Sequence, residues 1–115
     1  MRKVYRSSLE YGISAFAGKY KTRIICSLMT HGPMRHKELR QLTDANDQAL
    51  SLALKELLAY SIIDRHQYNE MPIKVVYSLT AKGKTIAPIL HQVSLWALKH
   101  HEDDVTFEHD NSRLG

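Results

Sequence analysis

Cysteine is almost missing from this chain, with Cys26 alone among 115 residues. A single thiol closes no intrachain disulfide and excludes a multi-cysteine zinc site. Proline and glycine are sparse too, at three and five, so collagen-like and low-complexity classes drop out. No apolar run nears the roughly 18 residues that a membrane-spanning helix needs. The basic start, MRKVYRSS, has no apolar stretch behind it of signal-peptide length. Export and membrane partners are therefore not expected. The rest, 43% hydrophobic and 24% charged, suits one globular domain with one core.

Positive charge is present, and it is unevenly placed. The formal net charge is +4. Residues 1–101 hold 15 basic and 7 acidic side chains, a net of +8. Residues 102–115 hold Glu102, Asp103, Asp104, Glu108 and Asp110 against Arg113, a net of −4. The acidic tail is expected to be disordered. A basic body of this kind attracts polyanions, of which nucleic acid is the commonest, although charge alone fits an ordinary solvated lysine surface equally well.

Hydrophobic spacing gives the order of elements. Leu9, Ile13 and Phe16 stand i, i+4, i+7 and predict a helix over 8–16. Tyr20, Ile24, Ile25, Leu28 and Met29 form the stripe of a helix over 19–31, stopped by Gly32–Pro33. RHKELRQL predicts a short helix over 35–42 with Leu39 and Leu42 inward. Thr43, Asp44, Ala45 and Asn46 suffice for a tight turn, and Asn46 or Asp47 can cap the next helix, about 47–60, which buries Leu50, Leu54, Leu57 and Leu58. The period then becomes two. Strands over 62–68 and 73–79 flank a turn at Asn69–Pro72. Thr80 can cap a last helix over about 81–101, striped by Ile86, Ile89, Leu90, Val93, Trp96 and Ala97, with Pro88 bending or breaking it.

Two helices joined by a tight turn and followed at once by a hairpin form a helix-turn-helix with a wing. The predicted class is mainly α with a small β-hairpin (α+β). Such a domain lays its second helix in a major groove about 12 Å wide while the hairpin reaches the backbone or minor groove. Arg35, His36, Lys37 and Arg40 surround the helix that crosses the DNA backbone. Arg65, His66, Asn69 and Lys74 lie on the wing, within reach of phosphate. Lys19, Lys21 and Arg23 are weaker candidates.

The runs GKYKTRIICSL, GPMRHKEL, LKELLAYSIIDRHQY and PIKVVYSLTAKG resemble the HxlR family of winged-helix transcriptional regulators. The resemblance spans about residues 7–101. It is most specific at the wing and its exit, at Arg65, Tyr68, Pro72, Val75, Tyr77, Leu79, Thr80 and Gly83, with Trp96 and His100 in the last helix. The resemblance implies a cytoplasmic homodimer that binds a palindromic operator in double-stranded DNA and represses or activates nearby genes. It also implies dimerisation through the first and last helices (about 8–16 and 81–101), here through Leu9, Ile13, Ile89, Val93 and Trp96. Family members often carry a Cys-Pro pair before the first helix, and several use that cysteine as a sensor. Ser7 and Ser8 stand there in this chain, which removes thiol sensing at that place. The turn before the recognition helix is also one residue shorter than usual.

The helix that would read DNA departs from the family's pattern, which is rich in Lys, Arg, Thr and Gln. DQALSLALKELLAY is largely apolar. With Leu50 facing the core, 100° per residue turns Gln48, Leu52, Lys55 and Ala59 outward, with Ser51 beside them. Gln48 can pair with adenine, Ser51 can meet base or phosphate, Lys55 can meet phosphate, and Leu52 and Ala49 can meet thymine methyls. A phase one residue different would bury Leu52 instead. So few hydrogen-bonding groups imply modest base specificity, with much of the selection left to phosphate contacts and DNA shape.

Seven histidines lack any metal-ligand spacing, and no catalytic constellation or phosphate loop is legible, so neither a metal nor a cofactor nor an enzyme is expected. Cys26, on an apolar stripe, is expected to be inert. A protein-interaction module that has lost DNA reading is the competing function, motivated by the apolar recognition helix. A small-molecule effector is a further candidate partner, in a pocket lined by Tyr11, Phe16, Tyr20 and Trp96, although the same residues serve equally as core and dimer contacts.

Overall fold

The computed structural model describes residues 2–109. Helices α1 (Ser8–Phe16), α2 (Lys19–His31), α3 (His36–Thr43) and α4 (Asp47–Ala59) lead into a hairpin of β1 (Ile63–Tyr68) and β2 (Lys74–Leu79). Helices α5 (Ala81–Lys84) and α6 (Ala87–His100) follow. This is a winged helix-turn-helix, mainly α with one small antiparallel sheet.

Three helix starts, those of α1, α4 and α5, are capped by side chains with an oxygen to spare. Ser7 Oγ accepts from the Glu10 N–H at 3.1 Å, Asn46 Oδ1 from the Ala49 N–H at 2.8 Å, and Thr80 Oγ1 from the Gly83 N–H at 2.9 Å. Asn46, and not Asp47, is thus the cap of α4. Gly32 ends α2 at a φ of 79°, where a side chain is disfavoured. Between α3 and α4 the chain turns at Asp44, whose φ is 55°. Arg23 of α2 donates to the Thr43 carbonyl at 2.8 Å and fastens that turn to the body.

The core lies where α2, α3 and α4 meet the base of the hairpin. Ile24, Ile25, Leu28, Leu39, Leu50, Leu54, Leu57, Ile62 and Ile63 are each at most 4% exposed. Burying a side chain of that size contributes about 1.5–3 kcal/mol. The hairpin pairs Ile63 with Leu79 at its base and Tyr68 with Lys74 near its tip. Met34 exchanges both backbone hydrogen bonds with Tyr77, at 2.9 and 2.8 Å, and so ties β2 to the α2–α3 connection. At the exit, Gly83 presses on the Ile62 carbonyl so closely that a Cβ would collide with it.

Two expectations about the chain need adjusting. The last helix breaks, as Pro88 suggested it could, but it does so ahead of the proline, between Lys84 and Ala87: Pro88 falls in the first turn of α6, where no partner for its nitrogen is needed. Leu42, expected inward, is 51% exposed. The inner face of the eight-residue α3 is already filled by Leu39 and Thr43, one turn apart, which leaves Leu42 on the flank toward α6. Residues 102–109 carry a turn in which the Val105 N–H bonds to the Glu102 carbonyl at 3.0 Å. The rest of the expected acidic tail, 110–115, lies outside the described residues.

Helices α1 and α6 meet the core through only part of their apolar residues, with Phe16 and Leu90 half-buried against it. Ala15 and Ala87 are their buried residues. A tyrosine cluster tethers α1 to the far end of α4. The Tyr5 and Tyr60 hydroxyls lie 2.9 Å apart, and Tyr11 meets both rings edge-on, with centroids at 4.9 and 5.7 Å. The hydrogen bond with Tyr5, then burial, holds the Tyr60 phenol above its ordinary range. Lys21 adds a second tether, donating to the Ser14 carbonyl at 2.7 Å and pairing with Glu56 at 3.0 Å.

Candidate nucleic-acid interface

α4 is two-faced, and its two faces have opposite fates. Leu50, Ala53, Leu54 and Leu57 are buried. Gln48, Ser51, Leu52, Lys55 and Ala59 are all exposed, with Leu52 at 59%. The phase read from the sequence is therefore right, and Leu52 is not a core residue. Ala49 differs: it is half-buried and packs against the core, so it offers less surface to a base than Leu52.

The cations around α4 are held to different degrees. Arg35 and Lys37 at the start of α3 are exposed, whereas His36 is half-buried. The Arg35 backbone N–H donates to Glu38 Oε1 at 3.0 Å, which satisfies one of the orphan amides at the start of α3. Arg40 lies 3.4 Å from Asp47 at the start of α4, in an ion pair whose side chains are both largely exposed and which contributes little to stability. Arg35, Lys37, Lys55, Arg65 and Lys74 make no ion pair among the described residues. Lone cations on an exposed surface are free to meet phosphate.

On the wing, the register separates residues that the sequence grouped together. Arg65 stands opposite Tyr77 and His66 opposite Val76, so their side chains point to opposite faces of the ribbon. His66 and Lys74 instead converge on Tyr68. The His66 ring lies edge-on to it at 4.3 Å, and Lys74 Nζ sits over it at 5.4 Å from the centroid. Tyr68 thus positions two of the predicted wing residues. The cross-strand pairing of Tyr68 with Lys74 was the available signal, but it needs the register to be read.

The residues expected at a dimer interface are left open. Leu9, Ile13, Ile89, Val93 and Trp96 are all exposed, Leu9 by 70% and Trp96 by 66%. None belongs to the core cluster.

A groove of about 860 Å³ runs between α2, the end of α3 and α6, with Phe107, Glu108 and His109 along one side. Tyr11, Phe16, Tyr20 and Trp96, expected to line an effector pocket, do not line it. Tyr11 is in the tyrosine cluster, and Tyr20 carries Lys19 and Arg23 against its ring at 5.1 and 5.6 Å. Cys26 does line the groove, and burial pushes its thiol above the ordinary range, toward the less reactive protonated form. Ser7 serves as the α1 cap. Among the described residues, no three His, Cys, Asp or Glu side chains converge to hold a metal ion. Nor is any helix there long and apolar enough to cross a membrane.

Known proteins share both this sequence and this shape. Residues 15–105 match the family model described as HxlR-like helix-turn-helix. The chain is 36% identical over 104 residues to the HTH-type transcriptional regulator BH0655 of Halalkalibacterium halodurans, covering 90% of this chain and 92% of that one. It is 36% identical over 100 residues to the HTH-type regulator YtcD of Bacillus subtilis, 86% of this chain and 79% of YtcD. The YtcD crystal structure superposes with a TM-score of 0.75 at 34% identity, over 82% of this chain and 96% of that one. The reduced form of the Bacillus subtilis regulator YodB superposes with a TM-score of 0.76 at 30% identity, over 89% and 100%. The breadth of the match, the shared wing and the exposed second helix lead to one assignment: the chain belongs to the HxlR-like helix-turn-helix family of transcriptional regulators.

Proposed function

We propose that two copies of this chain bind a palindromic operator in double-stranded DNA and control transcription of nearby genes, acting in the cytoplasm. The observation that carries the reading is the outward face of α4. Gln48, Ser51 and Lys55 stand in solvent, while the opposite face is locked into the core. On this reading Gln48 and Ser51 contact bases, Lys55 contacts phosphate, and Arg35 and Lys37 grip the backbone beside the groove, with His36 behind them. Arg65 on one face of the wing and the His66–Tyr68–Lys74 group on the other straddle a strand or enter the minor groove.

The second copy follows from α1 and α6. Leu9, Ile13, Ile89, Val93 and Trp96 form apolar faces on two helices that project from a finished core, and pairing with their like removes them from water. Dimerisation would set two α4 helices one helical turn of DNA apart, about 34–36 Å, as the two half-sites of a palindrome require.

The test is salt-dependent binding by a dimer. Sedimentation should give twice the chain mass at micromolar concentration. Fluorescence anisotropy with a duplex selected from a random pool should show log affinity falling linearly with log salt. A monomer in sedimentation removes the dimer. Failure to enrich any duplex at low salt removes the DNA reading and favours the alternative, a winged-helix protein-interaction module.

A further inference from the structure

Leu52 is the anomaly on the face just described. It is 59% exposed in mid-helix, belongs to no core cluster and has polar neighbours one turn to either side, Gln48 before it and Lys55 after. Ser51 adjoins it and is exposed as well. Folding gives no reason for a leucine here, because nothing packs on it from within.

We propose that Leu52 reads the C5-methyl group of a pyrimidine in the major groove, so that each half-site carries a thymine at one fixed position. The inference rests on the DNA reading given above. The thymine methyl is the one apolar group that the bases present on the major-groove edge, and its natural partner is an aliphatic side chain. The other apolar residues in the first half of α4 are turned inward, Leu50 and Ala53 buried and Ala49 half-buried against the core, so Leu52 is the one large apolar side chain that this half of the helix exposes. No other large apolar residue of α4 is exposed, whereas docking surfaces for proteins are contiguous apolar patches. A single methyl needs a single side chain.

Helix geometry sharpens the expectation. Leu52 lies four residues beyond Gln48, about 6 Å along the axis. Base pairs rise by about 3.4 Å, so the adenine met by Gln48 and the methyl met by Leu52 fall one or two steps apart. The same argument extends to modified DNA: 5-methylcytosine carries its methyl at the position where thymine does, so methylating a cytosine placed there restores the contact.

The experiment is a cycle between protein and base. The full chain selects a duplex from a random pool, and that duplex is resynthesised with deoxyuridine replacing each thymidine in turn. For the unaltered protein, one position in each half-site should lose affinity by about fourfold, the worth of one buried methyl-sized group. Leu52→Ala should bind the parent duplex about as weakly as the unaltered protein binds the deoxyuridine duplex, and should not respond to the exchange. Cytosine at that position should bind more weakly than 5-methylcytosine for the unaltered protein only. Thermal unfolding of Leu52→Ala checks that the fold is intact, as expected for an exposed residue. If every exchange to deoxyuridine is neutral, or Leu52→Ala keeps the same penalty, the inference is overturned and the DNA reading survives. If no duplex is enriched, both are overturned.

Discussion

The body formed by α2, α3, α4 and the hairpin has hidden most of its large apolar side chains, whereas α1 and α6 have left most of theirs in solvent. Ten large apolar residues of the body, Met34 among them, are at most 4% exposed. In α1 and α6 the large apolar side chains Leu9, Ile13, Ile89, Val93 and Trp96 face solvent, and the buried residues are the alanines Ala15 and Ala87. The contrast separates two tasks. The body uses one face of α4 for its core and leaves the other face open. On the proposed reading, a second copy of the chain completes the two outer helices. The tethers between these regions, Tyr5 and Tyr11 on Tyr60 and Lys21 on Glu56, meet the last turn and the C-cap of α4. The position of α1 is thereby coupled mechanically to the helix that would enter the groove.

The comparison is sharpest within α4 itself. Leu50→Ala should destabilise the chain by about 2–5 kcal/mol, as large-to-small changes in a packed core do. Leu52→Ala, two residues on, should change stability by no more than about 0.5 kcal/mol. Denaturant unfolding of the two variants reads the difference, and similar losses would mean that α4 is not two-faced in solution. Trp96→Ala reverses the pattern. It should weaken self-association by about 2 kcal/mol, roughly thirtyfold, as a central aromatic in an interface does. Sedimentation at graded concentration measures this, and an unchanged dimer would mean that α6 is covered by something else.

Smaller effects are expected from the free cations. Replacing Arg65 or Lys55 with Ala should lower affinity about equally for all duplexes and reduce the salt slope by about one. A change confined to one sequence would make that residue a base reader instead. Smallest of all, Cys26 should alkylate slowly in the folded protein at neutral pH and quickly after unfolding, because burial raises its pKa and keeps the thiol protonated. Rapid modification of the native chain would show that the α2–α6 groove is open to reagents.

Much of this was legible from spacing alone. The four N-terminal helices, the hairpin, the Thr80 cap and the outward phase of Gln48, Leu52 and Lys55 all follow from the i, i+4 stripes and the change to period two. The misreadings have local causes. Leu42 looked inward because a short helix offers too few turns to fix its phase, and Thr43, a polar residue, took the core position instead. The wing cations looked like one cluster because the strand register, which sends Arg65 and His66 to opposite faces, is set by pairing rather than by composition. The Met34–Tyr77 bridge left no trace in any pattern, since one residue of strand has no period. The tyrosine cluster joins positions 55 residues apart, and no local rule brings them together.

The central claim is that two copies present the open face of α4 to one duplex. Hydroxyl-radical footprinting of the full chain on its selected duplex tests this most directly. The account predicts two protected segments related by inverted symmetry, with centres about 10 base pairs or a multiple apart, on one side of the helix. A single protected segment, or two on unrelated faces, would contradict it.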